Sequence, residues 1–422
     1  MDDMDTSSIK EAVVLAGGFG TRLSQVVRDV PKPLAPVYTR PFLTFLLDKL
    51  SDAGVTRVIL AVGYRWQQIQ TYFGDSYRNM EIRYSVEDTP LGTGGAVKKA
   101  MEQVVGTAVW VLNGDTFFDV DLSDLSALSS RHPDCPLVFA LRRVDDVSRY
   151  GEVRIDADGR VLAFAEKEEG ARPGTVNGGL YLVRTEWMRR LDLPEKFSFE
   201  NDVLAVVWRQ TPVYAQAFNP FFIDIGVPDD YNKARWQLPL YASKYLFLDR
   251  DGVINRKIDD GYVTRPGEFE FLPGVLESME YLAGRFERIF IVSNQQGIGK
   301  GLFTLDDLNR VHEAMMSAIQ LCGGRIDRIY VCPDLASSGT PNRKPAPGMA
   351  FQAKREYPKV DFSRSLMVGD ALSDVEFAHN AGIFPVYLDG KVHAESQVMM
   401  YNPLCCKNLE DFVGVLKSLE FR

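Results

Sequence analysis

Strand-length apolar runs alternate with amphipathic stretches from the first dozen residues onward. Ala12–Ala16 predicts a buried strand, Phe42–Ala53 a helix and Arg57–Val62 a second strand. Ala96–Val105 predicts another helix, and Ala108–Leu112 a strand that runs into Asn113-Gly114-Asp115. Strands alternating with helices imply a parallel sheet covered by helices on both faces. From about Pro136 the pattern becomes β-rich, with Leu137–Arg142, Gly151–Ile155, Val161–Glu166 and Val176–Val183 as strands. Asp156-Ala157-Asp158-Gly159 marks a hairpin turn between two of them. Tyr231–Leu240 reads as a short helix ending at Pro239, and the alternation then restarts. Lys244–Leu248, Arg288–Val292, Arg325–Val331 and Ser365–Val368 are the strands of this second series, with helices at Leu305–Leu321 and from Ser373. A second strand–helix series with its own first strand is a second domain. We expect the boundary near residues 238–244, dividing the chain into 1–240 and 241–422. No long flexible linker separates the two, so they are expected to pack against each other; no internal repeat or low-complexity segment is evident.

Composition narrows the class. The chain has 422 residues, enough for two full cores. A net charge of −9 argues against nucleic acid as a partner, because neutralising a phosphate backbone requires a basic surface. No apolar run approaches the roughly 18 residues needed to cross a bilayer, and Met1–Lys10 lacks the apolar stretch of a secretory signal. Five cysteines, an odd number without a paired motif, read as reduced thiols. A soluble, cytoplasmic protein is expected, with no membrane association.

The first strand leads directly into Leu15-Ala16-Gly17-Gly18-Phe19-Gly20-Thr21-Arg22-Leu23. Glycines there leave backbone N–H groups open to an oxyanion, and Arg22 adds a guanidinium fork. Ten residues on, Pro31-Lys32-Pro33 holds a lysine on a stiff extended segment. The pattern is neither the dinucleotide-binding fingerprint nor a P-loop. A glycine-rich turn alone would be explained by structure; the turn, the arginine and the rigid lysine together point to phosphate chemistry.

This combination resembles the sugar nucleotide pyrophosphorylases over roughly residues 10–236. The resemblance implies a GT-A-like, Rossmann-like α/β fold. It also implies a nucleotide site of Leu15, Ala16, Gly17, Gly18, Gly20, Thr21, Arg22, Lys32, Glu87, Gly92 and Thr93. Asp115 and Asp224 would hold Mg²⁺, and Gly151, Glu152, Glu166, Lys167, Asn177 and Gly179 would bind the sugar phosphate. The reaction is attack of a sugar-1-phosphate oxygen on the α-phosphorus of a nucleoside triphosphate, with pyrophosphate leaving. Two anions must meet, so catalysis is mainly electrostatic, with Arg22 and Lys32 on the phosphates.

The second half opens with Leu248-Asp249-Arg250-Asp251-Gly252 after a buried strand. Two carboxylates at that spacing beyond a parallel strand suit a nucleophile and a general acid/base. Ser293, Lys344 and Gly369-Asp370 with Asp374 follow in order, the serine and lysine suited to a phosphoryl group and Asp370 to Mg²⁺. The set resembles the haloacid dehalogenase phosphatases over residues 244–390, and implies a Rossmannoid α/β domain. On that resemblance Asp249 forms an aspartyl-phosphate, Asp251 is the acid and base, and Ser293, Asn294, Arg343 and Lys344 bind the phosphate. Asp249, Asp251 and Asp370 would hold Mg²⁺. Gly261-Tyr262-Val263, Phe269–Gly274, Ser293–Gly297 and Arg343-Lys344-Pro345 look like the heptose 1,7-bisphosphate and histidinol phosphate phosphatases. Those relatives often carry a zinc loop, but Cys332–Asn342 has one cysteine and no histidine, so no zinc is expected. His132, His312, His379 and His393 stand alone in the sequence and read as surface or structural.

The fusion bears on substrate. A heptose 1,7-bisphosphate must lose one phosphate before nucleotidyl transfer, so the two halves would catalyse consecutive steps. Gln25–Val37, Phe73-Gly74-Asp75 and Asn113–Asp119 look most like the D-glycero-α-D-manno-heptose 1-phosphate guanylyltransferases. The expected small molecules are therefore GTP, heptose 1-phosphate and heptose 1,7-bisphosphate, with homo-oligomerisation left open. Two alternatives remain: a mannose-1-phosphate guanylyltransferase, or another sugar-1-phosphate nucleotidyltransferase, joined to a histidinol-phosphate-like or broader phosphatase, and a non-enzymatic sensor of nucleotide sugars.

Overall fold

The computed structural model describes residues 9–18, 23, 27, 29–148, 151–165, 170–389 and 396–420. Contacts divide the chain into two compact units that part between Ala234 and Arg235.

In the first unit, Glu11–Leu15 is the pivot of a ten-stranded sheet. It runs parallel to Arg57–Val62 on one side and to Ala108–Asn113 on the other. Leu15 pairs in register with Ala61 and with Asn113, which puts the ends of all three strands at one edge. A first strand to which later strands are added on both sides is a topological switch point, where open α/β sheets form their clefts. The sheet turns antiparallel from Gly174–Arg184 outward, through Glu152–Ile155 to Val161–Ala165, with Leu137–Val144 also on Gly174–Arg184. A separate two-stranded ribbon pairs Thr116–Phe118 with Phe222–Asp224 and sets Asp224 opposite Thr116. Val13, Val111, Phe139, Tyr181 and Phe199, all fully buried, lie in the core of this unit.

Two expected helices move. The helix predicted at Ala96–Val105 runs from Gly92 to Ala100, followed by a 3₁₀ turn at Met101–Gln103. Its early start depends on partners distant in sequence: Phe197 O accepts from Gly94 N at 3.0 Å and Gly95 N at 3.3 Å. Pro239 does not end its helix, which spans Pro228–Ala242. Arg285 donates to the carbonyls of Leu240, Tyr241 and Ser243 and satisfies the last turn.

The second unit is a six-stranded, wholly parallel sheet. The order is Arg328–Cys332, Arg288–Asn294, Tyr245–Leu248, Ser365–Gly369, Phe384–Leu388, Leu404–Cys406. The first strand is again central, so Asp249 leaves it at a switch point between the ends of Arg288–Asn294 and Ser365–Gly369. The strand expected from Arg325 begins at Arg328. Asp327 N donates to Ile289 O at 2.8 Å, and its side chain accepts from Arg288, Arg325 and the N–H of Ile289. Among the described residues no helix is long and apolar enough to cross a membrane.

Candidate functional sites

At the switch point of the first unit lies a cleft of about 510 Å³. Leu15, Ala16, Gly17, Gly18, Lys32, Glu87, Gly92 and Thr93 line it, together with Asp115. The structure thus gathers eight of the expected nucleotide residues, drawn from four separate stretches of sequence. Gly20, Thr21 and Arg22 lie outside the described residues, as do Glu166 and Lys167.

Lys32 opens the 3₁₀ turn Lys32–Leu34 after an extended Pro31. Its ammonium reaches Asp115 Oδ2 at 2.5 Å, with the lysine side chain 12% exposed. Ile225 N donates to Asp115 O at 3.0 Å, so the ribbon brings Asp224 alongside Asp115. A methyl group at Gly226 would stand 2.9 Å from Asp224 Oδ1 and 3.4 Å from Lys32 Nζ, which places both carboxylates and the ammonium in one corner. Burial pushes Asp224 above the usual carboxylate range, and the neighbouring Asp115 adds to the shift. Two carboxylates that need positive charge beside them, with one lysine supplied, fit a divalent cation.

Other residues of the cleft serve its architecture. Glu87 accepts from Leu91 N at 2.9 Å ahead of the Gly92–Ala100 helix, and burial raises its pKa. Thr93 donates to Glu200 at 2.7 Å and accepts from Phe199 N at 2.9 Å. Glu200 sits on a π-helical turn, Phe199–Leu204, that no periodicity in the sequence announces.

The expected sugar-phosphate residues behave differently from one another. Asn177 donates to Tyr181 OH at 2.6 Å and accepts from Gly179 N at 3.1 Å, which pins an irregularity in the strand. Gly179 packs on Asn113, a cleft residue. Glu152 is buried and spent on Arg172 and Arg154, both at 2.8 Å, and Arg172 is the main cause of its lowered pKa. Gly151 and Glu152 are not among the cleft's lining residues.

The second site is denser. Lys344, only 2% exposed, forms ion pairs with Asp249 Oδ1 at 2.7 Å and Asp374 Oδ1 at 2.6 Å. Burial works against its charge, but the two carboxylates outweigh that and raise its pKa. Burial likewise pushes Asp249 up, to about 6, against the pull of Lys344. Asp249, Asp370 and Asp374 present oxygens within 4.8 Å of one another. Asp370 Oδ1 is buried with no hydrogen-bond partner in the protein, the mark of an oxygen reserved for a cation. Gly252, at φ +91°, lets the loop approach: a Cβ there would fall 2.1 Å from Asp370 Oδ2. These residues fit Mg²⁺.

Asp251 stands apart from that cluster. The oxygens that converge belong to Asp249, Asp370 and Asp374, whereas Asp251 is turned into a cage of donors. Arg250 Nη2 donates to both of its oxygens at 2.9 Å, Asn255 Nδ2 to one at 3.0 Å and Gln295 Nε2 to the other at 2.7 Å. Burial raises its pKa, but Arg250 and the amides more than offset this and leave it below the usual carboxylate range. Asp251 is expected among the Mg²⁺ ligands; in the fold its carboxylate accepts from Arg250, Asn255 and Gln295, and the carboxylate that converges with Asp249 and Asp370 is that of Asp374.

Of the expected phosphate ligands, Ser293 is buried and accepts from Gln295 Nε2 at 2.8 Å. Asn294 is used on backbone: it donates to Lys344 O at 3.1 Å and accepts from Lys344 N at 3.0 Å, which fixes the lysine's position. Arg343 donates to Asp334 O at 3.2 Å. Arg250, Asn255 and Gln295 escaped sequence reasoning as functional residues, although Arg250 and Gln295 lie within the motif stretches and Asn255 three residues beyond the first.

The nucleotidyl transferase family profile matches residues 11–239, and a HAD-hydrolase-like profile matches residues 341–409. The chain is 43% identical over 221 residues to a D-glycero-α-D-manno-heptose 1-phosphate guanylyltransferase of Campylobacter jejuni, covering 52% of this chain and 96% of the relative. A protein of the same description from Aneurinibacillus thermoaerophilus is also 43% identical, over 55% of this chain and 99% of its own. The solved D,D-heptose 1,7-bisphosphate phosphatase of B. bronchiseptica, complexed with magnesium and phosphate, is 31% identical over 42% of this chain and 98% of its own, with a TM-score of 0.38.

Proposed function

The chain belongs to the nucleotidyl transferase family, and on that premise we propose that it is a bifunctional enzyme of GDP-heptose synthesis. The C-terminal unit removes the 7-phosphate of heptose 1,7-bisphosphate. The N-terminal unit then transfers GMP from GTP to heptose 1-phosphate and releases pyrophosphate. The two activities divide near residue 240, and the five free thiols suit a reducing cytoplasm.

One observation carries this reading. Each unit holds a shielded lysine against a carboxylate pair at the carboxyl edge of its own sheet: Lys32 with Asp115 and Asp224, and Lys344 with Asp249 and Asp374. A protein that only sensed nucleotide sugars would have no use for the second constellation.

In the first site Lys32 steadies the triphosphate where charge develops, and Arg22 is assigned the same task. In the second, Asp249 attacks phosphorus to form an acyl phosphate while the sugar oxygen leaves with a proton from Asp251. Water then attacks the aspartyl-phosphate and yields its proton to Asp251, which Arg250, Asn255 and Gln295 hold in place. Lys344 and Ser293 bind the transferring group. Asp115 with Asp224, and Asp249 with Asp370 and Asp374, would hold Mg²⁺, which neutralises phosphate charge when bound.

The test supplies heptose 1,7-bisphosphate, GTP and Mg²⁺ and follows phosphate and pyrophosphate separately. Asp249→Asn should lower phosphate release at least about a thousandfold while transfer from supplied heptose 1-phosphate continues. Asp115→Asn should do the reverse. Wild-type enzyme that releases no phosphate from the bisphosphate would end the heptose reading.

A further inference from the structure

Lys257 lies nine residues beyond the last residue of the Tyr245–Leu248 strand and outside all the phosphatase motifs. Its ammonium is 3.4 Å from Asp370 Oδ2, yet its side chain is 57% exposed. The other cations at this site are already committed: Lys344 is buried between Asp249 and Asp374, and Arg250 is fully buried on Asp251. Among the described residues, Lys257 is the one solvent-exposed cation paired with the cluster Asp249, Asp370 and Asp374.

The root of the side chain is fixed. Asn255, fully buried, donates to Arg256 O at 2.9 Å. Arg256 N donates to Glu270 O at 2.8 Å. A flexible four-carbon stem therefore leaves a rigid anchor and can move its charge across the mouth of the site.

We propose that Lys257 is a specificity-determining residue that binds the second anionic group of the phosphatase substrate, a sugar bisphosphate. This rests on the phosphatase reading of the C-terminal unit. The buried Lys344 and Ser293 enclose only the reacting phosphoryl group, so a second phosphate on the same sugar must lie outward, on the side where Lys257 is exposed. Ion pairs as exposed as Lys257–Asp370 are weak, so the ammonium leaves its carboxylate at little cost. A divalent cation taken up by the three aspartates would repel it and free it for the substrate.

The test compares wild type with Lys257→Met, which keeps the stem and removes the charge, and with Lys257→Arg. For heptose 1,7-bisphosphate, Lys257→Met should raise KM about tenfold to a hundredfold with kcat little changed, and Lys257→Arg should recover most of the loss. The inhibition constant of inorganic phosphate, which has no second anionic group, should stay within about twofold. Calorimetric titration of substrate-free protein with Mg²⁺ should show several-fold tighter binding in Lys257→Met, because the competing ammonium is gone. An unchanged KM for the bisphosphate, an equal weakening of inorganic phosphate, or unchanged Mg²⁺ affinity each overturns the proposal. Absence of bisphosphate hydrolysis in wild type defeats the phosphatase reading instead, so the two failures are distinguishable.

Discussion

His312 looks like an ordinary helix residue in the sequence. In the fold it lies 6% exposed on the Leu305–Leu321 helix, with Nε2 3.1 Å from Arg250 Nη1. An arginine has no acceptor, so Nε2 must be the unprotonated nitrogen and the ring neutral. Burial, and then the Arg250 charge, depress its pKa to about 4. The sign follows from linkage. The unfolded chain binds this proton below about pH 6.5 while the folded chain refuses it until about pH 4, so stability is full above 6.5 and is lost as pH falls through this window. The loss amounts to about 3 kcal/mol by the bottom of the window. Urea denaturation of wild type and His312→Gln at pH 7 and pH 4.5 should show wild type losing more stability by roughly that amount; parallel losses would refute the neutral buried histidine. This is the part of the site that a sequence hides best. Asp249 and Asp370 were legible because each directly follows a strand, Lys344 because it stands in the Arg343-Lys344-Pro345 motif, and Lys32 because two prolines stiffen it. His312 and Gln295 acquire meaning only when Arg250 and Asp251 are folded against them.

At the level of elements, legibility depended on where the capping partners come from. Leu305–Leu321 was readable to the residue, since its start is a local capping box between Thr304 and Asp307. Arg57–Val62 was equally readable from its apolar run. Gly92–Ala100 was not readable from periodicity, because the glycines of its first turn carry no apolar pattern and the distant 195–199 segment packs on them. A Cβ at Gly94 would sit 2.3 Å from the Phe197 ring and 3.0 Å from Phe199 N. Gly94→Ala should therefore cost about 1–3 kcal/mol and raise KM for GTP, because Thr93 and Phe199 share a hydrogen bond at the cleft. Gly284, inside the Val275–Arg285 helix, is the opposite case: a methyl group added there would meet nothing within 4 Å. Gly284→Ala should stabilise its unit by about 0.5–1 kcal/mol. Thermal melts of both variants decide the point, and equal shifts of the same sign would show that glycine packing does not set the helix start.

The chain as a whole builds the same solution twice, a phosphate site at the switch point of a sheet with its own buried core. Separate cores predict separate responses to ligand. Four of the five tryptophans, Trp66, Trp110, Trp187 and Trp208, fall before Ala234, and the fifth, Trp236, is next to the division, leaving none in residues 237–422. Fluorescence therefore reports chiefly the N-terminal unit, while far-ultraviolet dichroism reports both. A non-hydrolysable GTP analogue with Mg²⁺, at about a hundred times its Kd, should stabilise the fluorescent transition by about 2.7 kcal/mol and leave a second dichroic transition where it was. Asp115→Asn should abolish that shift, since it removes the carboxylate that pairs with Lys32 and faces Asp224. If the two probes melt together and the analogue moves both, the units unfold as one cooperative body. In that case the division between Ala234 and Arg235, which cuts through the Pro228–Ala242 helix, marks contact density and not independent stability.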